Sequence, residues 1–239
     1  MRKKTLLGVL GLVIALSSAG YAKSGVFVGG NLGLPITAAT DIPSLVQPFI
    51  PTTGVGYTVG VNVGYKQDLT TEMGLKYYLS YNFSQSFASK AIGPIENKAD
   101  ILNHLVVANV DYFYDFDKMF GAYVGIGLGY SDYSGSFNIA NIADFGISGG
   151  SFALPINVGV NFNINESNTI SLGAKIPVLG TDVNVLGATA QKVQALQNGG
   201  GESSSSSSTT TDGEPAALQV IKGGTLRNYI IQLGYTYTF

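Results

Sequence analysis

Arg227–Phe239 reads RNYIIQLGYTYTF. Its odd positions (Tyr229, Ile231, Leu233, Tyr235, Tyr237, Phe239) are all apolar or aromatic. Its even positions (Asn228, Gln232, Gly234, Thr236, Thr238) are polar or small, with Ile230 the single breach. A period of two over this length specifies a strand with one face in an apolar setting and the other in a polar one. The aromatic residues gather toward the ends, as they do in the girdles of membrane-spanning strands.

The same alternation recurs upstream. Tyr57–Tyr65 (YTVGVNVGY) sets Tyr57, Val59, Val61, Val63 and Tyr65 against Thr58, Gly60, Asn62 and Gly64. Similar runs lie near residues 24–34, 72–83, 103–116, 119–130, 151–164, 169–177 and 227–239, which predicts eight strands. The connections alternate long and short. Pro35–Gly54, Ser84–Leu102, Ser131–Gly150 and Val178–Leu226 are the long ones, and the prolines of the first argue against regular pairing there. Short turns on one side and long loops on the other are the asymmetry of a membrane barrel. Tyr65, Tyr112, Tyr114, Phe116, Phe120, Phe162, Tyr237 and Phe239 sit at the short-turn ends and form a periplasmic aromatic belt. A soluble barrel would expose the apolar outer face to water. The expected fold is therefore all-β, an eight-stranded antiparallel up-and-down transmembrane β-barrel with four long outer loops.

Residues 1–22 carry Arg2-Lys3-Lys4, an apolar run and small residues before Ala22, the pattern of a secretory signal peptide; residues 23–239 are then the barrel domain. The chain contains no cysteine and a single histidine, so the sequence predicts neither a disulfide framework nor a metal centre, and no cofactor. Its net charge of −2 and the lack of a basic block argue against nucleic-acid binding. The Ser/Thr tract within residues 199–213 predicts disorder in the last outer loop, and Ala188–Gln197 reads equally as a short helix or as coil.

The inward faces carry Glu72, Lys76, Asp111, Asp115 and Lys175 among Asn, Gln, Thr and Gly. Counting from the short turns brings Lys76 and Asp111 to similar depth on neighbouring strands and sets Lys175 near Gln232. Glu72, Lys76, Asp111, Lys175 and Gln232 read either as a buried polar plug or as a charged constriction in a pore. An eight-stranded barrel is just wide enough for side chains to fill it, which favours the plug. His104, at the outer end of the fourth strand, is a candidate general base. No adjacent Ser or marked acid supports it, so the expectation is that the protein is not an enzyme. The glycines at 125, 127 and 129 alternate within a strand and do not form a phosphate loop.

Taken together, the signal, the strands, the short inner turns and the terminal Phe239 resemble the small eight-stranded bacterial outer-membrane proteins, the class of the OmpA membrane domain and OmpX. The opening KSGVFVGGNLG with the aromatic ending also resembles Helicobacter-type outer-membrane proteins. The resemblance implies an integral protein of a Gram-negative outer membrane, in contact with lipid and lipopolysaccharide. It further implies delivery to the outer-membrane assembly machinery, with Tyr235, Tyr237 and Phe239 as the signal. The chain departs from full-length OmpA in ending at the barrel, so a cell-wall tether is not expected. Three roles follow, in order: a structural or adhesin-like surface protein meeting a host or surface ligand through its loops, a narrow passive pore, and a lipid-modifying enzyme at the outer rim.

Overall fold

The computed structural model describes residues 24–42, 47, 50–92, 95–139, 143–186 and 220–239. The signal segment, Ala188–Gln197 and the Ser/Thr tract lie outside them. Ten strands form one antiparallel sheet: β1 (Gly25–Thr40), β2 (Thr53–Asp68), β3 (Met73–Ile92), β4 (Ile95–Asp115), β5 (Phe120–Ile139), β6 (Ala143–Ala153), β7 (Pro155–Asn163), β8 (Asn168–Pro177), β9 (Thr181–Leu186) and β10 (Val220–Thr238). β6 and β7 both pair with β5, and β8 and β9 both pair with β10, so the ten segments make eight staves. The last stave closes on the first, from Phe27 opposite Thr238 to Thr40 opposite Thr225. This closure pairs the first and last strands, whose edges would otherwise face lipid.

Each short turn is held by one side-chain oxygen. Thr70 Oγ1 accepts from the amides of Glu72 and Met73 (both 3.2 Å), and Asp117 Oδ1 from Met119 and Phe120 (both 2.7 Å). Asn165 Oδ1 accepts from Ser167 and Asn168 at 3.0 and 2.9 Å. Short polar side chains favour tight turns because they bond the backbone two or three residues ahead. Aromatic pairs pack beside these turns: Tyr114–Phe116, Phe120–Phe162 and Tyr237–Phe239, with centroids 5.6, 5.3 and 4.9 Å apart.

At the other end the structure corrects the expected long loops. Ser84–Leu102 continues as ladder, from Ser84 opposite Asn103 to Ile92 opposite Ile95. Ser131–Gly150 does the same, from Ser131 opposite Ser151 to Ile139 opposite Ala143. Pro35 belongs to β1 and faces Ile230; the β1–β2 ladder skips Leu34 and Pro35 and resumes at Ile36 opposite Val55. A proline removes one donor from one side of a strand, and β2 is the side that does without it.

The reason these stretches resemble loops lies in their polarity. Along β5 the outward residues run Val124, Ile126, Leu128, Tyr130 and then Asp132, Ser134, Ser136. The inward ones change from glycines to the buried Tyr133 and Phe137. β4 switches likewise, from outward Val110 and Ala108 to outward Asp100 and Lys98, while Ile101 and Ala99 turn inward and are buried. Below the switch the barrel is apolar outside, as lipid demands; above it the barrel is polar outside and apolar inside, as water demands. Ala88, Ala99, Ile101, Tyr133, Phe137, Phe145, Val183 and Leu226 form the resulting outer plug, with Ile50 of the first connection packed on it. Burial pushes the Tyr133 phenol well above its ordinary pKa, so it stays neutral in this plug.

Because the chain contains no cysteine, single-cysteine variants map this switch directly. Ser136→Cys is expected to react with a membrane-impermeant maleimide on intact cells, and Leu128→Cys to be protected. Labelling of Leu128→Cys at the rate of Ser136→Cys would place the bilayer elsewhere.

Candidate functional site

The polar groups of the lumen lie on one row of the sheet. Successive register pairs join Lys66 to Lys76, Lys76 to Asp111, Asp111 to Gly125, Gly125 to Asn157 and Asn157 to Lys175. Every strand on the row points these positions inward, because alternation fixes the face once the register is set. The Asp111 carboxylate accepts from Tyr78 OH at 2.7 Å and from Asn157 Nδ2 at 2.9 Å. Asn157 Nδ2 also reaches Asn109 Oδ1 at 2.9 Å, while Asn157 Oδ1 accepts from Lys175 Nζ at 3.1 Å. Lys175 Nζ further lies 5.8 Å from the Tyr78 ring centroid. Asp111, Asn157 and Lys175 are each 3 % exposed or less, so this relay connects two buried opposite charges through one amide. Hydrogen bonds to both charges offset the cost of taking them out of water.

Gly125 makes the relay possible. A Cβ there would collide with Asp111 Oδ1, which crosses over the glycine to reach Asn157. The other inward glycines of this wall play a similar part: Tyr123 lies over Gly159 and Gly173, where any Cβ would strike its ring or hydroxyl.

Of the expected site residues, Asp111 and Lys175 are brought together through Asn157. Lys76 is Asp111's neighbour in register, but the Asp111 oxygens face Tyr78 and Asn157, and the Lys76 ammonium lies 5.5 Å from the Phe113 ring centroid. Lys66 Nζ lies 4.8 Å from the same ring and 3.1 Å from Asp68 Oδ1. The expected Lys76–Asp111 contact is thus replaced by a cation–π arrangement, because Tyr78 reaches the carboxylate first. Glu72 is not in the lumen. It precedes β3 in an exposed turn and accepts from Tyr114 OH at 3.3 Å. Gln232 faces Gly173, while Lys175 faces Ile230; among the described residues no hydrogen bond joins Gln232 to Lys175. Asp115 accepts from Asn163 Nδ2 at 3.1 Å. Tyr235, Tyr237 and Phe239 project outward and are exposed.

Two further layers of side chains meet across the lumen above the relay. Ile230 meets Leu105 and Val107 of the opposite wall, and Ile230 and Val107 are both fully buried. Higher up, Asn228 Nδ2 donates across the barrel to Asn103 Oδ1 at 3.2 Å. Asn103 Nδ2 donates to Ser131 Oγ at 2.7 Å, and Thr37 joins Asn228 to Ser86 at 3.3 and 2.8 Å. Tyr78, Asn109 and Asn157, absent from the expected site, carry no signal in the sequence beyond their inward parity. Ile230 did give a signal, the single breach of the last strand's alternation.

His104 points outward at the level of the polarity switch. Its Nδ1 lies 2.8 Å from Tyr81 OH, and its ring packs at 5.2 Å on Phe83. Tyr57 OH donates to Gln85 Oε1 at 2.7 Å, and Gln85 Nε2 donates to both Asp100 oxygens at 3.0 Å. These contacts make a polar and aromatic collar where the bilayer ends.

An apolar band bounded by two aromatic collars, on a closed ring of strands with a polar lumen, defines an integral β-barrel of a Gram-negative outer membrane. The chain belongs to the Helicobacter outer membrane protein family, whose model matches residues 60–239. In structure it is similar to Neisserial surface protein A, with 13 % identity and a TM-score of 0.48, covering 91 % of this chain and 100 % of that one. It is also similar to OprG from Pseudomonas aeruginosa, with 13 % identity and a TM-score of 0.49, covering 91 % and 98 %. The third is Ail of Yersinia pestis, with 11 % identity and a TM-score of 0.43, covering 90 % and 99 %. Among proteins with curated descriptions none matches the sequence.

Gly125→Ala is expected to destabilise the refolded barrel by about 2 kcal/mol, the usual cost of overpacking. Gly30→Ala, where a Cβ meets nothing nearer than 3.8 Å, should be close to neutral. Urea unfolding in micelles followed by gel mobility measures both; equal midpoints would remove Gly125 from the relay.

Proposed function

We infer that this protein is a closed, non-enzymatic barrel that stabilises the outer membrane and carries strand hairpins above it for contact with ligands outside the cell. The observation that supports this reading is the set of contacts across the lumen, above all Ile230 against Leu105 and Val107 and Asn228 on Asn103. A side chain bonded to the opposite wall occupies the path that a solute would take. The polar outward faces of the extensions, such as Asp100, Asp132 and Ser136, suit a surface held in water and open to partners. His104, engaged by Tyr81 and Phe83, fits the interfacial collar better than the role of a general base.

Single-channel recording distinguishes this reading from a pore. Inserted native protein is expected to remain silent in a planar bilayer, whereas Leu105→Gly combined with Ile230→Gly should give stable openings. Native openings that change with Lys76→Ala would make the lumen charges a conduction site and end the closed-barrel reading.

The second part of the proposal concerns assembly. Phe239 donates its amide to Val26 O at 2.9 Å and is 74 % exposed at the periplasmic rim, where assembly factors have access. Deleting Phe239 is expected to lower the outer-membrane yield several-fold without changing the thermal stability of the refolded protein. Unchanged yield in membrane fractions would show that the signal lies elsewhere.

A further inference from the structure

The wall of the barrel is not uniformly laced. β6 and β9 share ladder pairs only from Gly146–Ser148 to Asn184–Leu186, and below these the facing segments are β6 from Gly149 and β9 from Val183. The regular ladder resumes at Pro155 opposite Pro177, two residues that both lack a donor. On the other side of the same stave, β10 pairs with β8 up to Lys175–Ile230 and with β9 from Thr181–Leu226. The register changes by two residues between those points. Val178–Gly180 is therefore out of the ladder on both sides, apart from the bond from Val178 N to Leu154 O at 3.0 Å. A side-chain latch holds the seam closed: Ser151 Oγ and Thr181 Oγ1 are 2.8 Å apart.

Behind this seam lies a cavity of ≈ 30 Å³ lined on its wall side by Leu154, Pro155, Pro177 and Leu179. Lys175 is the one charged residue of its lining. That volume suits a group the size of one or two waters, not an alkyl chain. Val178 and Leu179, 45 % and 48 % exposed, present apolar surface at the seam. The level is the outer edge of the apolar band, marked by the exposed Phe152 and Tyr229. Arg227 brings a second positive charge to the outer side, its Nε 3.4 Å from where a Gly180 Cβ would stand.

We propose that this seam is a lateral binding site for a long-chain fatty acid taken from the membrane. The carboxylate occupies the cavity on Lys175 Nζ, and the chain stays in the bilayer along Val178 and Leu179. Lys175 Nζ donates one hydrogen bond, to Asn157. Its ammonium carries three N–H groups, so donors remain for a carboxylate. A charge-assisted bond in a water-poor site is the strong kind. The apolar lining and the small volume select a compact anionic head on a greasy chain over a free polar solute.

The seam can be locked reversibly, because the chain has no cysteine of its own. The double variant Ser151→Cys, Thr181→Cys replaces the latch with a pair able to form a disulfide. Radiolabelled palmitate is titrated onto the mature protein in phosphatidylcholine nanodiscs, with empty nanodiscs subtracted. Saturable uptake near one per protein is expected, abolished when the pair is oxidised and restored by reductant. Lys175→Met should weaken it about tenfold, the loss of one charge-assisted bond. Hexadecanol should fail to compete. No excess uptake, or uptake indifferent to the oxidised latch, overturns the proposal. Competition by phosphatidic acid equal to that by palmitate overturns the assignment to a fatty carboxylate. The single-channel result is independent of these outcomes, since a closed lumen and a lateral site can each hold without the other.

Discussion

In hydrocarbon no water is available to pair a free backbone N–H or C=O, and that constraint governs this molecule. It forces the strands into a ring, which the β1–β10 ladder completes from Phe27 to Thr40. The constraint ends where lipid ends, yet the ladder continues, because the apolar cluster it encloses offsets the entropy of ordering the extensions. What changes is the solvent on the outer face. Leu128 and Asp132 lie on the same face of β5 and differ only in what surrounds them. The inward face responds in the opposite sense: polar groups fill it beside lipid, and the apolar cluster around Phe137 and Phe145 fills it beside water. One strand therefore obeys two hydrophobic rules in succession without a change of register.

The lumen shows two solutions to the problem of a buried lysine. Lys175 is joined to Asp111 through the Asn157 amide, with the Tyr78 ring beneath it. Lys76 faces the ring of Phe113 instead. Both arrangements need room, and the glycines supply it: Asp111 reaches Asn157 only because Gly125 presents no side chain in between. Removing the acid would leave the ammonium of Lys175 buried with only the Asn157 amide and the Tyr78 ring beside it among the described residues, which is far more costly than never burying the pair.

The ring, the number of staves and the short turns were legible in the sequence, since each rests on local alternation or on one turn-forming oxygen such as Asp117. The extensions were not, and the reason is specific. In the sequence polarity marks the face of a strand, and polarity inverts at the membrane edge. Parity does not invert: Ala99 and Ile101 share the inward set with Asn109 and Asp111 along β4. Ile230 broke the alternation of the last strand for the same reason, being an apolar residue turned toward Leu105 and Val107. The relay was partly legible. Hairpin counting gives Lys76 opposite Asp111, which is correct for the backbone. It cannot tell that Tyr78, two residues on, and Asn157, two staves away, reach the carboxylate. Glu72 shares the inward parity of β3, but β3 begins only at Met73, so that parity does not apply to it.

The ladder, though not the parity, is interrupted at one stave, between Lys175 and Thr181, and the position of that break follows from the same constraint. Pro155 and Pro177 face each other, so two donors are missing from adjoining positions of one ladder. In mid-bilayer the freed carbonyls would have no partner, and the cost would be several kcal/mol each. At the outer edge of the apolar band, water and head groups can reach them, and the cost falls. A closed barrel can therefore tolerate a loosely paired stave at this height, where the outward faces change from Tyr130 to Asp132 and the collar of Tyr81 and His104 begins. The side-chain latch between Ser151 and Thr181 is then the kind of bond such a place permits: polar, partly wet and readily exchanged for a ligand's own hydrogen bonds.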